Sequence, residues 1–180
     1  MTPQTVDTDY LESVIRAAIV PYPVKEFVEK TGVAEWLDLR GVLLDTINVR
    51  FIASLLLPSL KPFLNDSFGI GGIGYEGLLL AIEMRSQLEE HAPYAQISYF
   101  GIAPALLDRE APLRLFGRVA PVSVLVTGVV LTGRSIEAAK RLVEIRRGSV
   151  QQVLAVVDRR TRATTSPTES SLWTWSQLTS

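Results

Sequence analysis

Short apolar runs alternate along this chain with stretches long enough to form a helix, and no other feature limits the possible folds as strongly. Ser67-Phe68-Gly69-Ile70-Gly71-Gly72 reads as a short strand entering a glycine-rich loop, and Gln96 to Ile102, Val122 to Val126 and Val150 to Val157 read as buried strands. Trp36-Leu37-Asp38-Leu39 adds a shorter one. Between them lie segments with helical spacing: Asp9 to Ile19 with Asp9 as its N-cap, Ile47 to Leu57 behind the cap Asp45, Glu76 to Glu90, and Ile136 to Arg147. This alternation predicts an α/β fold, a mainly parallel sheet flanked by helices on both faces in the Rossmann-like manner. In such sheets ligands sit at the carboxyl ends of the strands.

Local signals set the punctuation. Pro21 and Pro23 stop the first helix, Asn65-Asp66 marks a turn, and Gly148 stands where a left-handed cap is favoured. Ala103 to Ala120 reads as a long connection interrupted by proline. With 180 residues the chain suits a single domain, residues 1–180.

Several function classes are disfavoured. The formal net charge is -1 and the basic residues are scattered, Arg146-Arg147 and Arg159-Arg160-Thr161-Arg162 being the densest groups, so no concentrated basic face for nucleic acid is expected. There is no cysteine, hence no thiol nucleophile or thiolate metal site, and no carboxylate cluster has metal-ligand spacing. Met1 to Asp9 lacks the layout of a signal peptide, and Phe51 to Leu57 and Gly77 to Ile82 fall short of the roughly 20 residues needed to cross a bilayer. No membrane partner and a cytoplasmic location are the expectation. His91, the only histidine, follows Glu89-Glu90 near a helix end, where it serves the dipole or water.

The sharpest local motif is Val124 to Ile136, an apolar strand running through Thr127-Gly128 into Thr132-Gly133-Arg134-Ser135 at the start of a helix. Backbone N–H groups and hydroxyls at a helix start form a phosphate seat, because the unpaired donors and the dipole both favour an anion. The plainer alternative is an ordinary turn capped by Ser135. A second glycine-rich turn, Gly72-Ile73-Gly74-Tyr75-Glu76-Gly77, precedes the helix from Glu76, and Lys30-Thr31-Gly32 reads as a turn near the N-terminus.

Together these segments resemble the type I phosphoribosyltransferases, and the orotate phosphoribosyltransferases in particular. Phe27-Val28-Glu29-Lys30-Thr31-Gly32 followed by Trp36-Leu37-Asp38-Leu39-Arg40 resembles that branch's N-terminal segment, with two residues fewer between the parts, and Val156-Val157-Asp158-Arg159 and Leu172 to Leu178 resemble its late strands. The resemblance runs from about Tyr10 to Leu178. It implies a hood-like N-terminal segment, 1–45, on a core, 46–180. It also implies that Thr132, Gly133, Arg134 and Ser135 hold the 5-phosphate of phosphoribosyl pyrophosphate, and that Lys30, Gly72, Gly74 and Gly77 lie on the pyrophosphate and base side. Magnesium is implied only as a companion of that diphosphosugar, and a homodimer is the expected assembly.

Three departures from the family pattern bear on turnover. The acidic pair before the phosphate loop is replaced by Thr127 and Gly128, which removes charge that would stabilise the developing positive sugar. Glu76 stands where a second glycine is common; its charge repels a pyrophosphate, or else it merely favours the helix N-terminus. The segment Gly101 to Arg114, where the family has a cationic catalytic loop, carries no lysine or histidine. There Arg109, Arg114 and Arg118 remain as surface residues, and Leu106, Leu107, Leu113, Leu115 and Phe116 suit a fixed interface. The leading expectation is therefore an orotate phosphoribosyltransferase-like protein with lost or reduced catalysis, binding a phosphate or nucleotide ligand or a protein partner. The alternatives are an active enzyme joining orotate or a related base to phosphoribosyl pyrophosphate, with Asp108, Glu110 or Glu76 standing in for the missing acids, and a structural homodimer.

Overall fold

The apolar runs form central strands buried on both faces, and the two faces collect two separate clusters of side chains. The computed structural model describes residues 7–21, 25, 28–29, 34–104, 113–160 and 168–179. Two short strands, β1 (Ile19–Pro21) and β2 (Glu35–Leu37), pair antiparallel as a small sheet near the N-terminus. The main sheet has six strands: β3 (Phe68–Ile73), β4 (Ile97–Pro104), β5 (Leu113–Gly117), β6 (Val122–Val130), β7 (Ser149–Asp158) and β8 (Glu169–Thr174). Their order is β5-β4-β3-β6-β7-β8, and every pairing is parallel except that of β5 with β4.

The helices are α1 (Thr8–Ala17), α2 (Leu39–Leu44), α3 (Thr46–Leu56), α4 (Gly74–His91), α5 (Arg134–Ile145) and α6 (Trp175–Thr179), with a 3₁₀ segment at Leu57–Phe63. Along β6 and β7 alternate residues part company. Val124, Val126, Leu154 and Val156 join Leu11, Ile52, Leu80 and Met84 on one face, whereas Leu125, Val153 and Ala155 join Ile136, Ala139 and Val143 of α5 on the other. The expected mainly parallel, helix-covered sheet is thus present. Among the described residues no helix is long and apolar enough to cross a membrane.

The structure departs from the sequence reading at five points. Asp7, not Asp9, caps α1, accepting from the N–H groups of Asp9 and Tyr10 at 3.1 and 3.0 Å. The short strand ends at Leu37 because Asp38 turns to cap α2, accepting from Arg40 N–H at 3.1 Å. The 103–120 connection contains β5, held by pairing to β4 from Phe100↔Gly117 to Pro104↔Leu113, and residues 105–112 lie outside the described set. Strand β6 runs on to Val130 because Val129 and Val130 pair with Val157 and Asp158, so Thr127 and Gly128 lie within a strand instead of a turn. At the end of α5 the left-handed residue is Arg147, with φ 62°, and Gly148 is needed for space: a side chain there would meet Ala120 O at 2.8 Å.

Candidate functional site

The sheet order reverses at β3, which meets β4 on one side and β6 on the other, so the carboxyl ends of β3 and β6 open a crevice between them. Two turns leave these parallel strand ends, the one from β3 into α4 at Gly74 and the one from β6 into α5 at Thr132-Gly133.

Gly133 takes the left-handed conformation, φ 78°, and serves as N-cap of α5 with no side-chain cap bond. A β-carbon in that conformation costs about 1–2 kcal/mol, which accounts for glycine at this step. Thr132 Oγ1 reaches Arg134 N–H only at 3.4 Å, and the Ser135 hydroxyl does not cap the helix. The first-turn N–H groups of Arg134, Ser135 and Ile136 come before any intrahelical acceptor, so they point outward as donors. Thr132, Arg134 and Ser135 are exposed. The loop borders a cavity of about 640 Å³ whose wall includes Arg134, Arg141, Lys140, Arg160, Glu137 and Glu169.

An ion-pair network braces that wall. Arg160 Nη1 lies 3.7 Å from where a β-carbon on Gly133 would stand. It donates to Glu169 at 2.7 Å, and Arg160 grips Asp158 through Nε and Nη2 at 3.0 and 2.5 Å. Lys140 bridges Glu169 at 2.9 Å and Glu137 at 3.0 Å. Burial pushes the Asp158 and Glu169 carboxyls up, but the hydrogen bonds and charge of Arg160, joined at Glu169 by Lys140, prevail and hold both below their ordinary values. Arg160 is correspondingly raised, chiefly by its bond to Asp158.

The turn at the head of α4 is built by close approach. A β-carbon on Gly72 would lie 2.5 Å from Gly77 O, and one on Gly77 would lie 2.3 Å from Val126 O. Both glycines are buried, and they let α4 start directly against β3 and β6. Gly74 is the left-handed residue of the turn, φ 70°. Glu76, half-buried, lies across this turn with Oε2 3.6 Å from the position of a Gly74 β-carbon. Its stem occupies the space in front of Gly128, where a β-carbon would lie 2.6 Å from Glu76 Cβ and 3.0 Å from Cγ. Leu39 of α2 closes the same spot from above, its Cδ1 3.4 Å away.

Beside it, Arg40 forms a two-pronged ion pair with Asp38, at 2.7 and 2.6 Å, with its guanidinium 5.8 Å from the Trp36 ring centre. Asp38 is held below its ordinary value, first by that side-chain bond. Arg159 crosses to the N-terminal segment, stacking 3.6 Å from the Trp175 ring centre and donating to Glu35 O at 2.6 Å.

Of the residues singled out in the sequence, Gly72 and Gly77 pack together against β6, Gly74 and Gly128 flank Glu76, Thr127 pairs with Ile73, and Thr132 to Arg134 border the cavity beside α5, while Lys30 with Thr31 and Gly32 lies outside the described residues. So do Arg109, Asp108 and Glu110; Arg114 and Arg118 are exposed, and Phe116 is half-exposed over Gly101. His91 Nδ1 meets Gln87 O at 2.7 Å. Two arrangements escaped sequence reasoning. The wedge of Glu76 against Gly128 spans two elements far apart in sequence, although a charge in a glycine turn and a glycine in an apolar strand were both visible. The Arg160, Glu169 and Lys140 network had only the Asp158-Arg159-Arg160 run as a local sign.

No family model matches this sequence, and no curated protein matches it. Solved structures do. The orotate phosphoribosyltransferase of Mycobacterium tuberculosis H37Rv, in complex with 5-phospho-α-D-ribosyl 1-diphosphate, aligns over 98% of this chain and 93% of its own at 20% identity and a TM-score of 0.65. The orotate phosphoribosyltransferase of Aeropyrum pernix aligns over 93% and 95% at 20% identity and 0.68. Leishmania donovani UMP synthase aligns over 96% of this chain but 37% of its own, at 16% identity and 0.71. The chain has the type I phosphoribosyltransferase fold.

Proposed function

We propose that this protein binds a phosphorylated sugar or nucleotide through Thr132, Gly133, Arg134 and Ser135, and does so with little or no phosphoribosyl transfer. The start of α5, which has no side-chain cap, carries the reading: its outward N–H groups follow a left-handed glycine, two hydroxyl residues flank it, and it opens on a cavity whose wall holds Arg134, Lys140, Arg141 and Arg160 beside Glu137 and Glu169. The presence of phosphoribosyl pyrophosphate in a neighbour of the same fold supports that class of ligand.

Weak turnover follows from the end of β6. Thr127 is 8% exposed and Gly128 has no side chain, so neither supplies negative charge to a sugar turning cationic. The segment after β4 pairs its visible part into the sheet as β5. Among the described residues no group of three or more histidine or acidic side chains is placed to hold a metal ion.

Calorimetric titration with ribose 5-phosphate, run beside a pyrophosphate-release assay with phosphoribosyl pyrophosphate, magnesium and orotate, tests this. Binding without release is expected, weakened about tenfold or more by Thr132→Ala or Ser135→Ala through lost hydrogen bonds to a charged group. Release that depends on orotate overturns the loss of catalysis; no binding of the sugar phosphate overturns the site.

A further inference from the structure

Glu76 has a fixed stem and an unpartnered head. A β-carbon at position 128 would stand 2.6 Å from Glu76 Cβ, a distance that non-bonded atoms do not adopt, so the bare Gly128 is what lets the glutamate lie where it does. Leu39 closes the same space, which leaves the carboxylate directed over the Gly74 turn. Among the described residues it makes no hydrogen bond and no ion pair; Arg40 feels its charge from further off but spends its own hydrogen bonds on Asp38.

The head of an 18-residue helix would otherwise welcome an anion at this turn. Glu76 places a carboxylate there. A carboxylate accepts hydrogen bonds and donates none, so at this turn it attracts hydroxyl groups and opposes any second phosphate. The start of α4 follows β3 and the start of α5 follows β6, and these two strands are adjacent and parallel where the strand order reverses, so both helix starts lie at the same end of the sheet.

We infer that Glu76, set by Gly128, makes the crevice selective for monophosphorylated, hydroxyl-rich ligands such as a pentose 5-phosphate, and against diphosphosugars. The inference rests on the phosphate seat at 132–135 and adds the chemistry of the opposite end of the ligand.

The test compares ribose 5-phosphate with phosphoribosyl pyrophosphate by calorimetry, each with and without magnesium, on the intact chain. Without the metal, the native protein is expected to prefer ribose 5-phosphate by about tenfold or more, the scale of one like-charge contact at short range. Glu76→Gln keeps the stem and removes the charge; it should erase most of that preference by tightening the diphosphosugar, and Glu76→Gly should do the same. Equal native affinity for the two ligands, or a Glu76→Gln protein that loses phosphoribosyl pyrophosphate, overturns the inference while leaving the phosphate seat intact. Magnesium-dependent binding of the diphosphosugar that disappears in Glu76→Gln would make the residue a metal ligand and overturn it too. If ribose 5-phosphate binding is absent, or ignores Ser135→Ala, both the seat and the inference fall.

Discussion

Asp158 and Glu169 show how a single side chain can hold the crevice wall and make it sensitive to acid. Each folded carboxyl lies below its ordinary value, 3.8 and 4.5 respectively. The unfolded chain therefore takes up protons at a higher pH than the folded one, and their stabilisation is complete above that range and lost as the pH falls through the lower folded values. Lys140 has the opposite sign: burial lowers it, but its bonds to Glu169 and Glu137 prevail and raise it, and its contribution is lost as alkali passes that raised value. Urea unfolding followed from about pH 8 to about pH 3 should show a plateau and then a decline below the carboxylate range. Glu169→Gln should cost about 1–2 kcal/mol on the plateau and soften the decline, since Glu169 accepts from both Arg160 and Lys140. An unchanged acid limb would place the acid sensitivity elsewhere.

At the scale of elements, α4 is fixed by glycines whose importance lies in space. Gly77→Ala puts a methyl carbon 2.3 Å from Val126 O, a backbone atom that cannot swing aside, so α4 must back away from β6. The expected cost is about 1–3 kcal/mol or more by chemical denaturation, together with weaker ribose 5-phosphate binding as the Gly74 turn shifts. Full stability in that variant would mean that the helix has room to spare. The same elements show what was legible in the sequence. Strands β6 and β7 announce themselves through runs of Val and Leu, and the turn into α5 through Thr132-Gly133 at a strand-to-helix junction. Strand β5 did not, because its place depends on the Phe116 ring covering Gly101 across the sheet, a contact that no local pattern marks. Glu76 and Gly128 were each visible as departures, but their mutual fit exists only once α4 is laid against β6.

For the whole molecule, the central position of β3 has a consequence for the order of assembly. Three of its six residues, Gly69, Gly71 and Gly72, have no side chain, yet every residue of the strand is buried. Glycine adopts the extended form reluctantly and contributes no packing of its own, so β3 has little reason to form alone. Its outer surface is supplied by others: the Phe100 ring lies against both Gly69 and Gly71, and Leu125 against Gly71. Strands β6 and β7, by contrast, carry their own branched side chains. Pulse-labelled hydrogen exchange during refolding is expected to protect the amides of β6 and β7 before those of Gly69 to Gly72; equal or earlier protection of the glycine strand would reverse that order. The crevice hangs on both strands, so on that order it would come into being only when the last of them closes, after the rest of the sheet is built.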